Sequence, residues 1–175
     1  MMTSYIENIP TIVKVVAEMK PKHILDVGAG FGKYGLLIRE ALLSNMATKD
    51  NLKPVPDFRI DGNESAEYFL NQKAFYRIYD GVCVGDIRKA IPELLLDFDL
   101  ILLIDVIEHW PKEDFYKFMD KISPNTRVLV STPRKLSFYK ERYYDTDPHI
   151  TQFSEGDFHD YVDNLSNDKS LIYLL

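Results

Sequence analysis

The run His23-Ile24-Leu25-Asp26-Val27, followed at once by Gly28-Ala29-Gly30-Phe31-Gly32-Lys33-Tyr34-Gly35, constrains this chain more than any other stretch. The apolar run predicts a buried parallel strand. Behind the glycines, Leu36, Leu37, Ile38, Ala41 and Leu42 recur at helical spacing. Glycine, with no Cβ, lets a backbone take positive φ and lets a ligand come close. Strand, glycine turn and helix together bring a helix N-terminus up to a bound molecule.

Three nucleotide patterns compete for this turn. The phosphate-cradling pattern G-x-x-x-x-G-K-[ST] fails, because Val27 stands five before Gly32 and Tyr34 stands where Ser or Thr should hold magnesium. The dinucleotide pattern G-x-G-x-x-G fits only as Gly30, Gly32 and Gly35, two residues too far from the strand; begun at Gly28, its last glycine falls on Lys33. Asp26-x-Gly28-x-Gly30-x-Gly32 fits a third pattern without a shift.

At 175 residues the chain is read as a single domain spanning 1–175, large enough for a sizeable core. A hydrophobic fraction of 46% marks it as globular. No run approaches the ~18 apolar residues of a membrane span, and Met1 to Tyr5 show no secretory pattern. The single cysteine, Cys83, cannot form an internal disulfide, which suits a reducing, cytoplasmic compartment. Its place in Val82-Cys83-Val84 predicts a small buried hydrophobe. A net charge of -6 argues against an extended nucleic-acid face, while a local basic groove stays compatible with it.

Taken in order, residues 4–19 predict a helix with Ile6, Ile9, Val13 and Val16 on one face, closed by Pro21. After the glycine-turn helix, which runs to about Met46, residues 47–57 predict a surface excursion. Phe58 to Gly62 predict strand two, ending at Asn63-Glu64, with a helix from Ser65 carrying Tyr68 and Phe69. Val82 to Val84 predict strand three, ending at Gly85-Asp86, and Ile87 to Leu96 a short helix broken by Pro92. Phe98 to Ile104 are the most apolar strand, expected at the centre and ending at Asp105; a helix follows from Pro111. Arg127 to Val130 predict strand five, ending at Ser131-Thr132-Pro133. Residues 134–152 predict a long loop or lid, Ser154 to Asp157 a capping box before a helix with Phe158, Tyr161 and Val162, and Leu171 to Leu175 a last strand. This alternation implies an α/β fold with a doubly wound, mostly parallel sheet, whose ligand binds beyond the carboxyl ends of the strands.

Those ends carry Asp26, Glu64, Asp86 and Asp105 on four successive strands. A carboxylate after strand two can accept both hydroxyls of a ribose, and one after strand three the amine of adenine. An acidic surround favours a sulfonium cation and repels a pyrophosphate. The competing structural reading is helix capping, which acidic residues also do well.

With the glycine turn, these residues resemble the class I methyltransferases that use S-adenosylmethionine (SAM), over about residues 22–162. The resemblance implies a Rossmann-like methyltransferase fold with SAM as cofactor. It implies that Gly28, Ala29, Gly30, Phe31 and Gly32 underlie the methionine part, that Glu64 binds ribose, that Asp86 and Ile87 flank adenine, and that Asp26 and Asp105 belong to the cofactor site. Asp105-Val106-Ile107-Glu108-His109 resembles the subgroup in which strand four runs into an acidic-x-x-Glu-His segment. Members usually end with a seventh, antiparallel strand beside strand five; here only six strands are counted before Leu175, so that strand is expected to be missing or the count short by one. An uncovered strand-five edge would favour a homodimer.

Methyl transfer needs proximity and orientation first, and a base only where the acceptor loses a proton. His109 and His149, in predicted loops on the cofactor side, are the candidate bases; His23 lies at the opposite edge and His159 in a predicted helix. Trp110 is expected to wall the acceptor pocket or meet the lid. Asp105, Glu108, His109 and His149 also resemble the metal-binding set of small-RNA 3′-terminal 2′-O-methyltransferases. The first of them is Asp where that family has Glu, and the acidic charge gives RNA no support, so no metal is assigned. The expectation is a methyltransferase acting on a small or medium-sized acceptor. A non-catalytic SAM- or nucleotide-binding module and the metal-assisted RNA enzyme stand as alternatives. Arg134, Lys135, Lys140 and Arg142 interleaved with Phe138, Tyr139, Tyr143 and Tyr144 suit a substrate lid better than a single-strand platform.

Overall fold

The computed structural model describes residues 5–47, 56–65, 75–135 and 148–175. Most of the expected excursion at 47–57 (residues 48–55), the helix carrying Tyr68 and Phe69, and most of the lid lie outside them. Seven strands form one sheet in the order β3-β2-β1-β4-β5-β7-β6. They are β1 (His23–Val27), β2 (Arg59–Glu64), β3 (Gly81–Val84), β4 (Leu100–Ile104), β5 (Arg127–Pro133), β6 (Asp163–Asn164) and β7 (Ser170–Leu174). The first five pair in parallel, and β7 runs antiparallel to both β5 and β6. The order reverses between β1 and β4, the point beyond whose carboxyl ends sheets of this kind take their ligands.

β1, β4, β5 and β7 feed both layers, because successive side chains point to opposite faces. On β4, Leu100, Leu102 and Ile104 join a core with Ile12 and Val16 of α1 (Asn8–Met19) and Ile38 and Leu42 of α2 (Lys33–Met46). Ile101 and Leu103 join the opposite core, with Phe115 and Phe118 of the helix Lys112–Met119 and with Trp110, Phe153 and Tyr173. Among the described residues a short α3 (Phe75–Ile78) precedes β3, so that later helix is α4. None of the described helices is long and apolar enough to cross a membrane.

Several expectations are corrected. The antiparallel strand beside β5 is present: β7 holds that place, and the strand overlooked is β6, two exposed residues too short to carry a period. The ground for a homodimer, an uncovered β5, goes with it. Cys83 is exposed, because β3 is the edge strand and its outer residues have no layer above them among the described residues. The capping box forms, with Ser154 and Asp157 bonded reciprocally. It starts only the 3-10 turn Glu155–Asp157, after which Phe158 turns into the core and His159 lies exposed in coil. The helix over Ile87 to Leu96 is two 3-10 turns, Ile87–Lys89 and Pro92–Leu95, since Pro92 offers no amide to bridge them. In α1 the buried stripe is Asn8, Ile12 and Val16, with Ile6 exposed ahead of the helix.

Candidate cofactor and acceptor site

The turn after β1 is built as its composition requires. Gly28 has φ +65° and Gly32, the N-cap of α2, φ +82°, a region costly for side-chain-bearing residues. Space adds a second demand at Gly28, where a Cβ would lie 2.7 Å from Cγ2 of Val106. The turn therefore touches the residue that leaves β4. At Gly30 a Cβ would meet nothing among the described residues nearer than the Gly28 carbonyl at 3.9 Å, so they leave the space above the turn open.

Two bonds tie the turn to β2. The Ala29 amide donates to the Asn63 carbonyl at 3.0 Å, and the Gly30 amide to Oε2 of Glu64 at 2.9 Å. Glu64, nearly buried, is thus brought against the turn. Asn63, which sequence reasoning left unassigned, holds the neighbouring edge by donating to the carbonyls of Cys83 and Gly85. Phe31 stands half-exposed at the tip of the turn, and Ala29 is buried beneath it.

Asp86 caps the following 3-10 turn and is chelated by Arg88, at 2.9 Å from Nε and 2.8 Å from Nη2. The Arg88 bond holds its carboxyl below the usual range. Arg88 reaches on to Asp114 of α4 at 2.9 Å and lies over the Trp110 ring. Ile87 is buried beside them. Trp110 is 7% exposed and packs edge-on against Phe118, so it serves the core more than a pocket wall.

Asp26 faces the other way. It shares the α1/α2 side of β1 with Ile24, is buried, and accepts a 2.5 Å bond from the Tyr79 hydroxyl. Burial pushes its carboxyl up to about 6; the Tyr79 bond and the Gly35 backbone work against this, Glu64 adds to it and Lys33 opposes it. Tyr79 was not legible as a site residue. Its trace in the sequence is Gly35 inside a helix and Gly62 inside a strand, each marking a close approach: a Cβ there would lie 2.5 Å and 2.9 Å from the Tyr79 ring.

At the end of β4, Asp105 is held with φ +55° while its amide bonds the Ser131 carbonyl. Strain of this kind in a non-glycine residue collects at functional sites. The 3-10 turn Ile107–His109 then brings in Glu108, fully buried, with Oε2 accepting from the Thr132 hydroxyl at 3.1 Å. Burial first, and the neighbouring Asp105 second, push its carboxyl up to about 8. Its Oε1 has no hydrogen-bond partner among the described residues. The Glu108 carbonyl accepts from the amides of Ile150 and Thr151, and this clasp draws His149 to His109, with ring centroids 4.7 Å apart. One ligand atom from each of Glu108, His109 and His149 lies within 4.8 Å of the other two. Lys33, at the start of α2, feels both Asp105 and Asp26.

His23 and His159 stay apart from this site. The His23 ring bonds Asp61 and the Asp97 carbonyl at the amino end of the sheet.

No protein-family model matches the chain, and no curated protein matches it. Solved structures do. Magnesium protoporphyrin IX methyltransferase from Synechocystis PCC 6803, solved with bound S-adenosylhomocysteine (SAH), is 15% identical and superposes with a TM-score of 0.64 over 96% of this chain and 81% of that one. The chain has the class I methyltransferase fold. The methyltransferase domain of bacterial CtHen1-C matches at 15% identity and a TM-score of 0.59, over 95% of each chain. An O-methyltransferase family protein from Burkholderia thailandensis matches at 10% identity and a TM-score of 0.60, over 96% of this chain and 55% of that one.

Proposed function

We propose that this chain is a SAM-dependent methyltransferase acting on a small or medium-sized acceptor in a reducing, cytoplasmic setting. The observation that carries the reading is the junction of turn and carboxylate. The Gly30 amide bonds Glu64, with open space above Gly30 and the acidic strand ends around it. A diol-accepting carboxylate thereby sits beside a cradle that a side chain would fill. Bound there, SAM supplies an electrophilic methyl group on a sulfonium sulfur.

The chain's own residues would bind and orient. Glu64 would accept the ribose hydroxyls, and Asp86, with Arg88 fixing its plane, retains acceptor capacity for an exocyclic amine. The acidic ends favour a cation over a pyrophosphate. His109 and His149 face one another past the end of β4, and either neutral ring can take the proton shed by an O–H or N–H acceptor. Calorimetric titration with SAM and SAH, with NAD and ATP as controls, tests this. Binding on the order of micromolar by the two sulfur compounds alone is expected; silence from both would sink it.

One observation favours a metal-assisted variant with the free 2′-hydroxyl of an RNA 3′ end as acceptor. The buried Oε1 of Glu108, without a hydrogen-bond partner among the described residues, belongs to a carboxylate at ligand spacing from His109 and His149, and oxygen with imidazole suits magnesium or manganese. Glu108, His109 and His149 would hold the ion, which would polarise an acceptor hydroxyl. Turnover that EDTA abolishes and Mn²⁺ restores would select it.

A further inference from the structure

We propose that Tyr79 is a positioning residue for the cofactor pocket, a strut whose ring fills the space left by Gly35 and Gly62 and whose hydroxyl holds Asp26 under the glycine turn. The proposal rests on the methyltransferase reading above. Its geometry is unusually complete. A Cβ on Gly35 would lie 2.5 Å from Cε1 of Tyr79 and one on Gly62 2.9 Å from Cγ; one on Gly32 would meet Cδ1 of Ile78 first, at 2.8 Å, with Cε2 of Tyr79 in ordinary contact at 3.4 Å. The first two glycines belong to the start of α2 and the middle of β2, the third to the turn itself. One ring thus spaces α2 from β2 and borders the turn beside Ile78.

The ring cannot drift. Arg39 of α2 donates from Nε to the Ile78 carbonyl at 2.9 Å and from Nη2 to Asp80 at 2.7 Å. Asp80 in turn accepts from the Ile60 amide at 2.8 Å and returns its own amide to the Ile60 carbonyl. Tyr79 is therefore clamped on both sides, from α2 and from β2. Its 2.5 Å bond ends on the carboxylate two residues before Gly28. The charged groups facing that carboxylate are Lys33 from α2 and Glu64 from β2, with Asp105 beyond β4 acting on Lys33.

A strut of this kind couples the charge on Asp26 to the shape of the turn. Ionised, Asp26 accepts the Tyr79 hydroxyl and is favoured by the Gly35 backbone; protonated, it loses acceptor strength toward both. SAH affinity should then fall on acidification through about pH 6, where burial places this carboxyl.

The test is SAH titration by calorimetry from pH 5 to pH 9 on wild type, Tyr79→Phe and Asp26→Asn, with near-ultraviolet circular dichroism as the check on packing. Tyr79→Phe keeps the ring in its cradle and deletes the hydroxyl, with its donation to Asp26 and its bond from the Gly35 backbone. It should weaken SAH binding about tenfold at pH 7.5, a hydrogen bond to a charged group being the interaction lost. Its acid-side loss of affinity should begin at higher pH than in wild type, since the bond that lowers the Asp26 pKa is gone. Asp26→Asn should bind weakly with no such fall near pH 6, which isolates Asp26 from the nearby histidines. A purely space-filling ring would leave the pH profile unmoved. If Tyr79→Phe fails to fold, the wild-type and Asp26→Asn profiles decide alone, and identical profiles overturn the proposal. Wild-type binding that Tyr79→Phe retains with an unshifted profile overturns this inference and leaves the methyltransferase reading standing. Silence from wild type overturns both.

Discussion

Asp26 and Glu108 are both buried carboxylates, 2% and 0% exposed, one at the end of β1 and one just past the end of β4, yet their surroundings differ in kind. Asp26 is closed in by donors, with Tyr79 and Gly35 offsetting part of the cost of its charge, and its pKa rises only to about 6. Glu108 receives one hydroxyl, from Thr132, while Asp105 repels its charge and Oε1 has no partner among the described residues. A buried carboxylate served by donors is a part of the scaffold. One left short of them holds a proton, or waits for a cation.

The strongest way to break this contrast is Glu108→Gln. A folded-state pKa of about 8 against an ordinary 4.5 means the native state binds more protons between those values. Stability is therefore full below about pH 4.5 and falls as pH rises toward 8. In chelator, the variant should escape that fall and exceed wild type by about 4 kcal/mol at pH 8, and by much less at pH 5. Urea unfolding at the two pH values measures it. Millimolar Mn²⁺ should raise the wild-type midpoint and leave the variant unmoved; no response in wild type removes the cation reading.

Asp26→Asn should show the same sign on a smaller scale and in a more acidic window. Its shift from 3.8 to about 6 places the loss of stability between those pH values, so the variant should gain up to about 3 kcal/mol at pH 8. Mn²⁺ should raise the midpoint of this variant as much as that of wild type, because Glu108, His109 and His149 are untouched. A metal response lost with Asp26 would erase the distinction between the two sites.

Removing a donor from each carboxylate sharpens the comparison further. Tyr79→Phe strands a charge that had a 2.5 Å partner and should cost about 2 kcal/mol at pH 8. Thr132→Val takes a 3.1 Å bond from a group already short of donors and should cost about 1 kcal/mol. Thermal or urea melts that reverse this order would show that Thr132, not Tyr79, bears the heavier load.

The strand–turn–helix unit at His23 to Leu42, the apolar centre of β4 and the acidic strand ends were legible because each is a local matter. Period, glycine content and the residue that ends an apolar run are all written within a few positions. Glu64 lies beside the turn because β2 follows β1 into the sheet, as alternation implies. The two-residue β6 carried too few positions for any period, and the apolar look of Val82-Cys83-Val84 could not say that β3 would lie at an edge.

What the sequence by itself determined is the doubly wound α/β frame and the set of acidic and glycine residues offered at its carboxyl end. Only the tertiary structure decided that Asp26 turns under the frame to meet Tyr79, and that a backbone clasp on Glu108 brings His149 to His109. The reason is physical. Periodicity records which face of one element is buried, whereas a hydrogen bond between elements depends on crossover, register and the space that small residues leave between them.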